Sequence, residues 1–267
     1  MVSVSASFTG SIPDFYDTCL GPAWFDAFAA DLAQRLSRNP PGDVLEIACG
    51  TGLVTKHARE RLDPAIRLIA TDVSKAMLEY ARVKLQDRNG IEWREADGAK
   101  LPFGDNAFGA VVCAFGIMFV PDKQAALREA RRVLKLGGSF LFNVWDRIEE
   151  NPHAVANAKV FSRLFPGDKE MISTSPYEMY DRALLERLLS EAGFREVRFD
   201  TKRVQVDGVS ARTIAIGHLR GSPRSLLLEK RGVSVDEVIE LTAAAIAAVG
   251  GADPYRASVQ AVVVEAL

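Results

Sequence analysis

Between residues 42 and 145, short apolar runs alternate with longer segments whose apolar residues recur at helical spacing. That alternation predicts a parallel sheet joined by crossover helices. The expected strands are the runs at 44–48, 66–71, 91–95, 108–114 and 139–145. Several are apolar without interruption, as strands covered by helices on both faces must be. Between them, Ser74 is placed to cap a helix carrying Met77, Leu78, Ala81 and Leu85 on one face, and Asp122 to cap one carrying Leu127, Ala130 and Leu134. Gly137 and Gly138 are expected to stop the second of these helices. Right-handed crossovers then put the ligand crevice beyond the carboxyl ends of the strands, on the loops that start at Ala48, Asp72, Ala96, Ala114 and Asp146.

Downstream, 181–192 reads as a helix with Leu184, Leu185, Leu188 and Leu189 on one side, followed by Gly193, a strand at 194–206 and a last strand at 258–267. The stretch 207–254 has helical spacing rather than linker composition. Ser222 before Pro223 marks one helix start, and Ser234 with Glu237 forms a capping box ahead of Val238, Ile239, Thr242, Ile246 and Val249. The N-terminal arm carries Phe8, Phe15, Tyr16, Trp24, Phe25 and Phe28. It is expected either to pack as a helix on the sheet or to close as a lid. The organisation is thus an arm at 1–39, a core at 40–206 and 255–267, and a helical insertion at 207–254.

With 48% hydrophobic and 25% charged residues the chain is far from a disordered composition. Its 33 Lys and Arg against 35 Asp and Glu leave no cation excess for a nucleic acid or an anionic membrane. Three widely spaced cysteines, Cys19, Cys49 and Cys113, suit neither a disulfide framework nor a zinc site, so reduced thiols and no metal are expected. The start lacks signal-peptide character, and the longest apolar run, 110–120, is too short to span a bilayer. A soluble cytoplasmic protein is the expectation, without nucleic-acid or membrane partners.

The residues that carry chemistry begin with Val44-Leu45-Glu46-Ile47-Ala48-Cys49-Gly50-Thr51-Gly52, a strand that runs into closely spaced small residues. Such a turn lets a ligand approach the backbone. A dinucleotide site shares this outline, but Thr55 stands where its third glycine would be, and Glu46 puts negative charge near the pyrophosphate position. Asp72, ending the second strand, is placed to accept from both hydroxyls of a ribose, and Asp97, ending the third, from an exocyclic amine. Any one of these acids alone reads more readily as a cap or a solvated group. Three at successive strand tips point to a ligand.

In this order, VLEIACGTG at 44–52, ATDVSKAML at 70–78, EADGAKLPF at 95–103, FGAVVCAFGIMFVPD at 108–122 and REARRVLKLGGSF at 128–140 resemble the class I S-adenosylmethionine-dependent methyltransferases. The likeness is to their small-molecule branch, the ubiquinone- and menaquinone-biosynthesis type. It implies a doubly wound, mostly parallel seven-stranded α/β sheet with helices on both faces and an antiparallel last strand, a Rossmann-like fold. It further implies that Glu46, Ala48, Gly50 and Gly52 line the methionine end of the cofactor, with Asp72 on the ribose and Asp97 with Gly98 at the adenine. Val73 and Met77 would flank the adenine, and Phe115 would lie beside cofactor and substrate. Ala48 replaces the glycine common in the family, which implies crowding rather than lost binding.

The expected reaction is in-line methyl transfer from S-adenosylmethionine to an O, N or C atom of a small apolar or aromatic acceptor, leaving S-adenosylhomocysteine. Tyr16, Trp24, Met118 and His153 are the candidate substrate contacts. His153 and Tyr16 are the weak candidates for a base, with His218 and Tyr177 behind them and His57 read as a surface residue. Two other readings share the sheet: a nicotinamide-dependent oxidoreductase and a cofactor-binding protein without turnover. The arm could also pair with a second copy in a homodimer. Asp72→Ala is expected to lower cofactor affinity more than tenfold with little change in melting temperature.

Overall fold

A computed structural model describes residues 10–267. Phe8 and the rest of residues 1–9 lie outside the described part. Seven strands, β1 (Val44–Ile47), β2 (Leu68–Asp72), β3 (Ile91–Glu95), β4 (Phe108–Ala114), β5 (Leu134–Trp145), β6 (Val197–Val206) and β7 (Ala257–Ala266), form one sheet. Their spatial order is β3-β2-β1-β4-β5-β7-β6. The first five are parallel, and β7 runs antiparallel to both its neighbours. This is the doubly wound methyltransferase-type sheet. The order reverses between β1 and β4, so the crevice lies beyond the carboxyl ends of those strands.

Alternation along β1 sends Val44 into a core with Ala29, Leu32 and Ala58 on one side of the sheet, and Leu45 into a larger core on the other. The helices of the first side are α2 (Asp26–Arg35) and α3 (Leu53–Arg61). The short α1 (Ile12–Phe15) and a π-helical stretch, Tyr16–Phe25, lead into α2. Next come α4 (Lys75–Lys84), α5 (Lys123–Val133), α6 (Pro152–Leu164) and α7 (Arg182–Glu191). Ser74 and Asp122 cap α4 and α5 as their positions predict. The segment between β6 and β7 holds α8 (Ala211–Arg220), α9 (Arg224–Lys230) and α10 (Val235–Gly250). Glu237 donates its backbone N–H to the Ser234 hydroxyl at 3.3 Å at the start of α10.

One local expectation is corrected. Gly137 and Gly138 do not stop α5. The helix ends at Val133, and both glycines lie inside β5, which begins five residues earlier than its apolar run. A Cβ at position 138 would fall 2.9 Å from the Gly109 carbonyl oxygen, so this glycine serves a close strand-to-strand approach where the β4–β5 register shifts. Ser222 before Pro223 does mark a helix start: Pro223 is the N-cap of α9, the Arg224 N–H donates to the Ser222 hydroxyl at 3.4 Å, and that hydroxyl donates to the His218 carbonyl at 2.6 Å at the end of α8.

The arm and the insertion pack on each other. Gly217 of α8 abuts the arm so closely that a Cβ there would meet Leu20 at 2.5 Å, and one at Gly221 would meet the Tyr16 backbone at 3.0 Å. The cover over the strand tips is therefore built jointly by segments from opposite ends of the chain.

Candidate cofactor and acceptor site

The turn after β1 is held in left-handed backbone conformations, with φ near +54° at Ala48, +54° at Gly50 and +79° at Gly52. Glycine relieves this at two of the three positions, and Ala48 carries the strain. A Cβ at Gly52 would press on Ala81 and Leu85 of α4 at 3.1 Å, so that glycine is a packing requirement. Around Gly50 there is nothing within 4 Å of the position a Cβ would take. Open space at one glycine and close packing at the other make a cradle.

Asp72 braces the cradle from β2. Its carboxylate accepts the Gly50 N–H at 2.8 Å and the Ser74 N–H at 2.7 Å, and still has acceptor capacity to spare. Glu46 is buried one turn below, where its carboxylate accepts the Thr55 hydroxyl at 2.6 Å. Burial pushes the Glu46 pKa up to about 8, with the Asp72 charge adding to the rise against the Thr55 hydrogen bond. Burial also raises Asp72, opposed by the backbone N–H groups it accepts. Two desolvated acids beside an open cradle favour a cationic ligand with hydroxyls. The Thr51 hydroxyl, buried in the same turn with no hydrogen-bond partner among the described residues, is a further group that a bound ligand would satisfy. These features fit S-adenosylmethionine.

The remaining predicted cofactor residues lie along the same edge. Val73 follows Asp72, Met77 is buried in the first turn of α4, and Gly98 is buried against Ile47. Asp97, at the end of β3, is exposed and accepts the Ala99 N–H at 2.9 Å. Phe115 follows β4 with φ near +52°, its N–H accepted by the Asn143 side chain at 3.0 Å. Behind it, a Cβ on Gly116 would fall 2.5 Å from the Ala48 Cβ and 2.6 Å from the Cys113 sulfur. The methyl that distinguishes Ala48 from glycine thus fills the space that Gly116 leaves.

An aromatic wall continues from Phe115. Its ring lies 4.5 Å from Trp145 at the end of β5 and 5.3 Å from Phe25 of the arm, and Trp145 stacks on Tyr177 at 5.7 Å. Tyr16 stacks on Phe25 at 4.9 Å and feels the charges of Asp17 and Asp72. The arm is tied down next to it, where Asp17 accepts from the Tyr80 hydroxyl at 3.2 Å and pairs with Lys84 at 2.5 Å, both on α4. Tyr16, Phe25, Tyr177, His218 and Arg224 are half-buried, and burial raises the pKa values of Tyr16 and Tyr177 and lowers those of His218 and Arg224. Tyr177 and His218 both sense the charge of Arg224, which joins them to it beside the aromatic wall.

Of the four expected substrate contacts, Tyr16 is half-buried beside this wall. Trp24, Met118 and His153 are buried, at 1%, 4% and 0% exposure. Trp24 stacks on His153 at 4.3 Å, and Met118 lies in the short helical turn Ile117–Phe119. His153 Nδ1 lies 2.8 Å from His218 Nε2, and the latter histidine is the accessible one. Burial drives both pKa values down, with His218 at about 3, so the pair is neutral. Burial likewise keeps Tyr16 and Tyr177 protonated, and both are hydrogen-bond donors rather than bases. His57 pairs with Asp26 at 2.9 Å, away from this group. Sequence reasoning gave no site role to Trp145 or Arg224. The strand-end position of Trp145 was an available signal, whereas Arg224 had none.

Among the described residues no three His, Cys, Asp or Glu side chains gather as a metal-holding group, and no helix is long and apolar enough to cross a membrane.

Residues 45–142 match the family profile of a methyltransferase domain. The ubiquinone/menaquinone biosynthesis C-methyltransferase UbiE of Shewanella sp. (strain W3-18-1) is 30% identical over 189 residues, covering 64% of this chain and 72% of that protein. UbiE of Burkholderia mallei is 32% identical over 186 residues, covering 65% and 75%. Among solved structures, a Thermotoga maritima S-adenosylmethionine-dependent methyltransferase, described as a possible histamine N-methyltransferase, aligns with a TM-score of 0.55 at 18% identity over 97% of both chains. The [4+2]-cyclase SpnF aligns at 0.54 with 18% identity over 90% of this chain and 80% of its own. These last likenesses establish the fold alone. The strand order, the methyltransferase-domain match and relatives at 30–32% identity, covered to 72% or more of their length, together make this chain a member of the class I S-adenosylmethionine-dependent methyltransferases.

Proposed function

We propose that the protein methylates a small, largely apolar or aromatic molecule held in a chamber between the arm, the β4 and β5 loops and the insertion. The observation that carries this reading is the continuous aromatic wall from Phe115 through Trp145 to Tyr177, which starts at the cofactor edge and is roofed by Tyr16 and Phe25. Bound S-adenosylmethionine would supply an electrophilic methyl group on a sulfonium. Glu46 and the 48–52 turn would hold its methionine end, Asp72 its ribose hydroxyls, and Asp97, Gly98, Val73 and Met77 its adenine.

The chain's own residues then do three things. The aromatic wall excludes water, which keeps the acceptor desolvated and ordered against the methyl donor. Tyr16 and Tyr177, protonated at neutral pH, donate hydrogen bonds that orient a polar atom of the acceptor. His218, neutral and backed by His153, is the group best placed to take a proton from an acceptor hydroxyl. Its low pKa makes it a weak base, which favours acceptors whose nucleophile is already acidic.

Calorimetry with S-adenosylmethionine, S-adenosylhomocysteine and NAD tests the cofactor half of this reading. Binding of the first two without NAD is expected, and binding of NAD alone would return the site to the oxidoreductase reading. For the acceptor half, apolar phenols should bind the cofactor-loaded protein more tightly than polar amines, and a clear preference for the amines overturns it.

A further inference from the structure

Arg224, the first residue of α9, is set deep in the insertion with its guanidinium over the Phe161 ring at 4.7 Å. Its one side-chain hydrogen bond among the described residues is to the Ser173 carbonyl at 3.0 Å. It forms no ion pair with any described residue, and residues 1–9 contain no acid. The other strongly bound arginines of this chain behave differently. Arg59 donates to the carbonyls of Leu62, Asp63, Ile66 and Gly90. Arg132 is saturated by Glu129, Asp105 and the carbonyls of Leu101 and Phe103. Those two are struts whose donors are spent on the fold, whereas Arg224 has five donors and one acceptor.

A desolvated guanidinium without an anion is costly. Burial pushes the Arg224 pKa down from its ordinary value, with Tyr177 acting in the opposite sense. The groups that sense its charge are Tyr177 and His218, both half-buried. Tyr177 in turn stacks on Trp145, and Trp145 packs on Phe115 at the cofactor edge. The unspent donors therefore belong to a cation sensed by a neutral phenol and a neutral imidazole, and the phenol is joined through Trp145 to Phe115 at the end of β4.

We propose that Arg224 binds a carboxylate of the acceptor, so that the substrate is a small apolar or aromatic carboxylic acid whose methylated atom lies at the opposite end from its acid group. One cation among neutral donors matches one negative charge, and the planar guanidinium fork matches a carboxylate bidentately. A dianionic phosphate would leave one charge uncompensated. The aromatic wall sets the length: an acid held at Arg224 reaches the cofactor edge when its body spans the Tyr177 and Trp145 rings. This inference rests on the methyltransferase reading of the site and narrows its acceptor class.

The test uses the full chain loaded with S-adenosylhomocysteine, and 4-hydroxyphenylacetate, 4-hydroxycinnamate and octanoate as probes, each against its primary amide. Cofactor affinity is measured first in the same calorimeter, so a failure of the methyltransferase reading registers there. At least one acid should bind ten times more tightly than its amide. Arg224→Gln, which keeps a donor for the Ser173 carbonyl, should abolish that preference without changing cofactor affinity. Arg224→Lys should retain part of it. Should Arg224→Gln not fold, Tyr177→Phe serves as the second variant, lowering affinity for the acid severalfold and for the amide less. The proposal is overturned if amides bind as tightly as acids, if Arg224→Gln keeps the full preference, or if none of the acids binds at millimolar concentration while the cofactor does.

Discussion

Asp72 joins the two halves of the cofactor cradle, and Asp72→Ala separates its two tasks. The first task is holding a ribose. A charge-assisted hydrogen bond contributes roughly 1.5–3 kcal/mol, and about 1.4 kcal/mol is a tenfold change in affinity. Loss of two such bonds, partly replaced by water, should weaken S-adenosylhomocysteine binding by at least tenfold and toward a hundredfold. The second task emerges only from the geometry. The carboxylate accepts the Gly50 and Ser74 N–H groups at 2.8 and 2.7 Å in a site where Asp72 is 7% exposed. Each donor left without an acceptor costs about 1–3 kcal/mol. Removing a charge that burial disfavours, and that repels Glu46, offsets part of this. A net loss of about 1–2 kcal/mol corresponds to a fall in Tm of roughly 3–6 °C in a domain of this size. The expectation of an unchanged melting temperature is thereby revised. Calorimetric titration with S-adenosylhomocysteine and scanning calorimetry of the ligand-free variant measure the two effects. Unchanged affinity in a cooperatively folded variant refutes the ribose assignment, and weakened affinity at an unchanged Tm refutes the bracing role.

The other expectations concern the same edge. With its folded pKa raised to about 8, Glu46 keeps a proton that the unfolded chain loses near the ordinary carboxyl value, so its contribution to stability falls as pH rises through that window. Glu46→Gln should raise Tm above pH 8 and weaken S-adenosylmethionine binding. Wild-type binding near neutral pH should release a proton, read from its enthalpy in buffers of different ionisation heat, and a wild type that releases none contradicts the placement of Glu46 beside the ligand's cationic end. Asp17→Asn should cut the tie between the arm and Lys84 and Tyr80, a part-buried interaction of about 1 kcal/mol, and speed cofactor dissociation severalfold in a stopped-flow chase. Equal off-rates would mean the arm does not retain the cofactor. Gly116→Ala drives a methyl against Ala48 and Cys113 and should cost about 1–3 kcal/mol, seen as a lower Tm, with the double variant Ala48→Gly/Gly116→Ala recovering part of the loss. A double variant no more stable than Gly116→Ala would refute the contact.

What the chain alone determined is whatever local chemistry dictates. The unbroken apolar run of β4 could only be a strand covered on both faces, so it was delimited to the residue. Ser74, Asp122 and Ser234 mark helix starts because a cap is made within three residues of itself. The cradle, Glu46 and Asp72 were legible for the same reason: they stand at strand tips whose spacing in the sequence is their spacing on the sheet edge. Gly137 and Gly138 were misread because a glycine that ends a helix and one that lets two strands approach look alike until the partner strand is known. Around the proposed acceptor site, Tyr16, Tyr177 and His218 were nameable from the sequence, whereas Trp145 and Arg224 were not. These five residues come from separate segments, and the packing of the arm against α8 contributes to bringing them near one another. Which histidine of the 153–218 pair stays accessible, and whether Arg224 finds an anion within the chain, are questions of burial and distance. Those are set by the tertiary structure, because desolvation depends on every neighbour a side chain has and not on its place in the sequence.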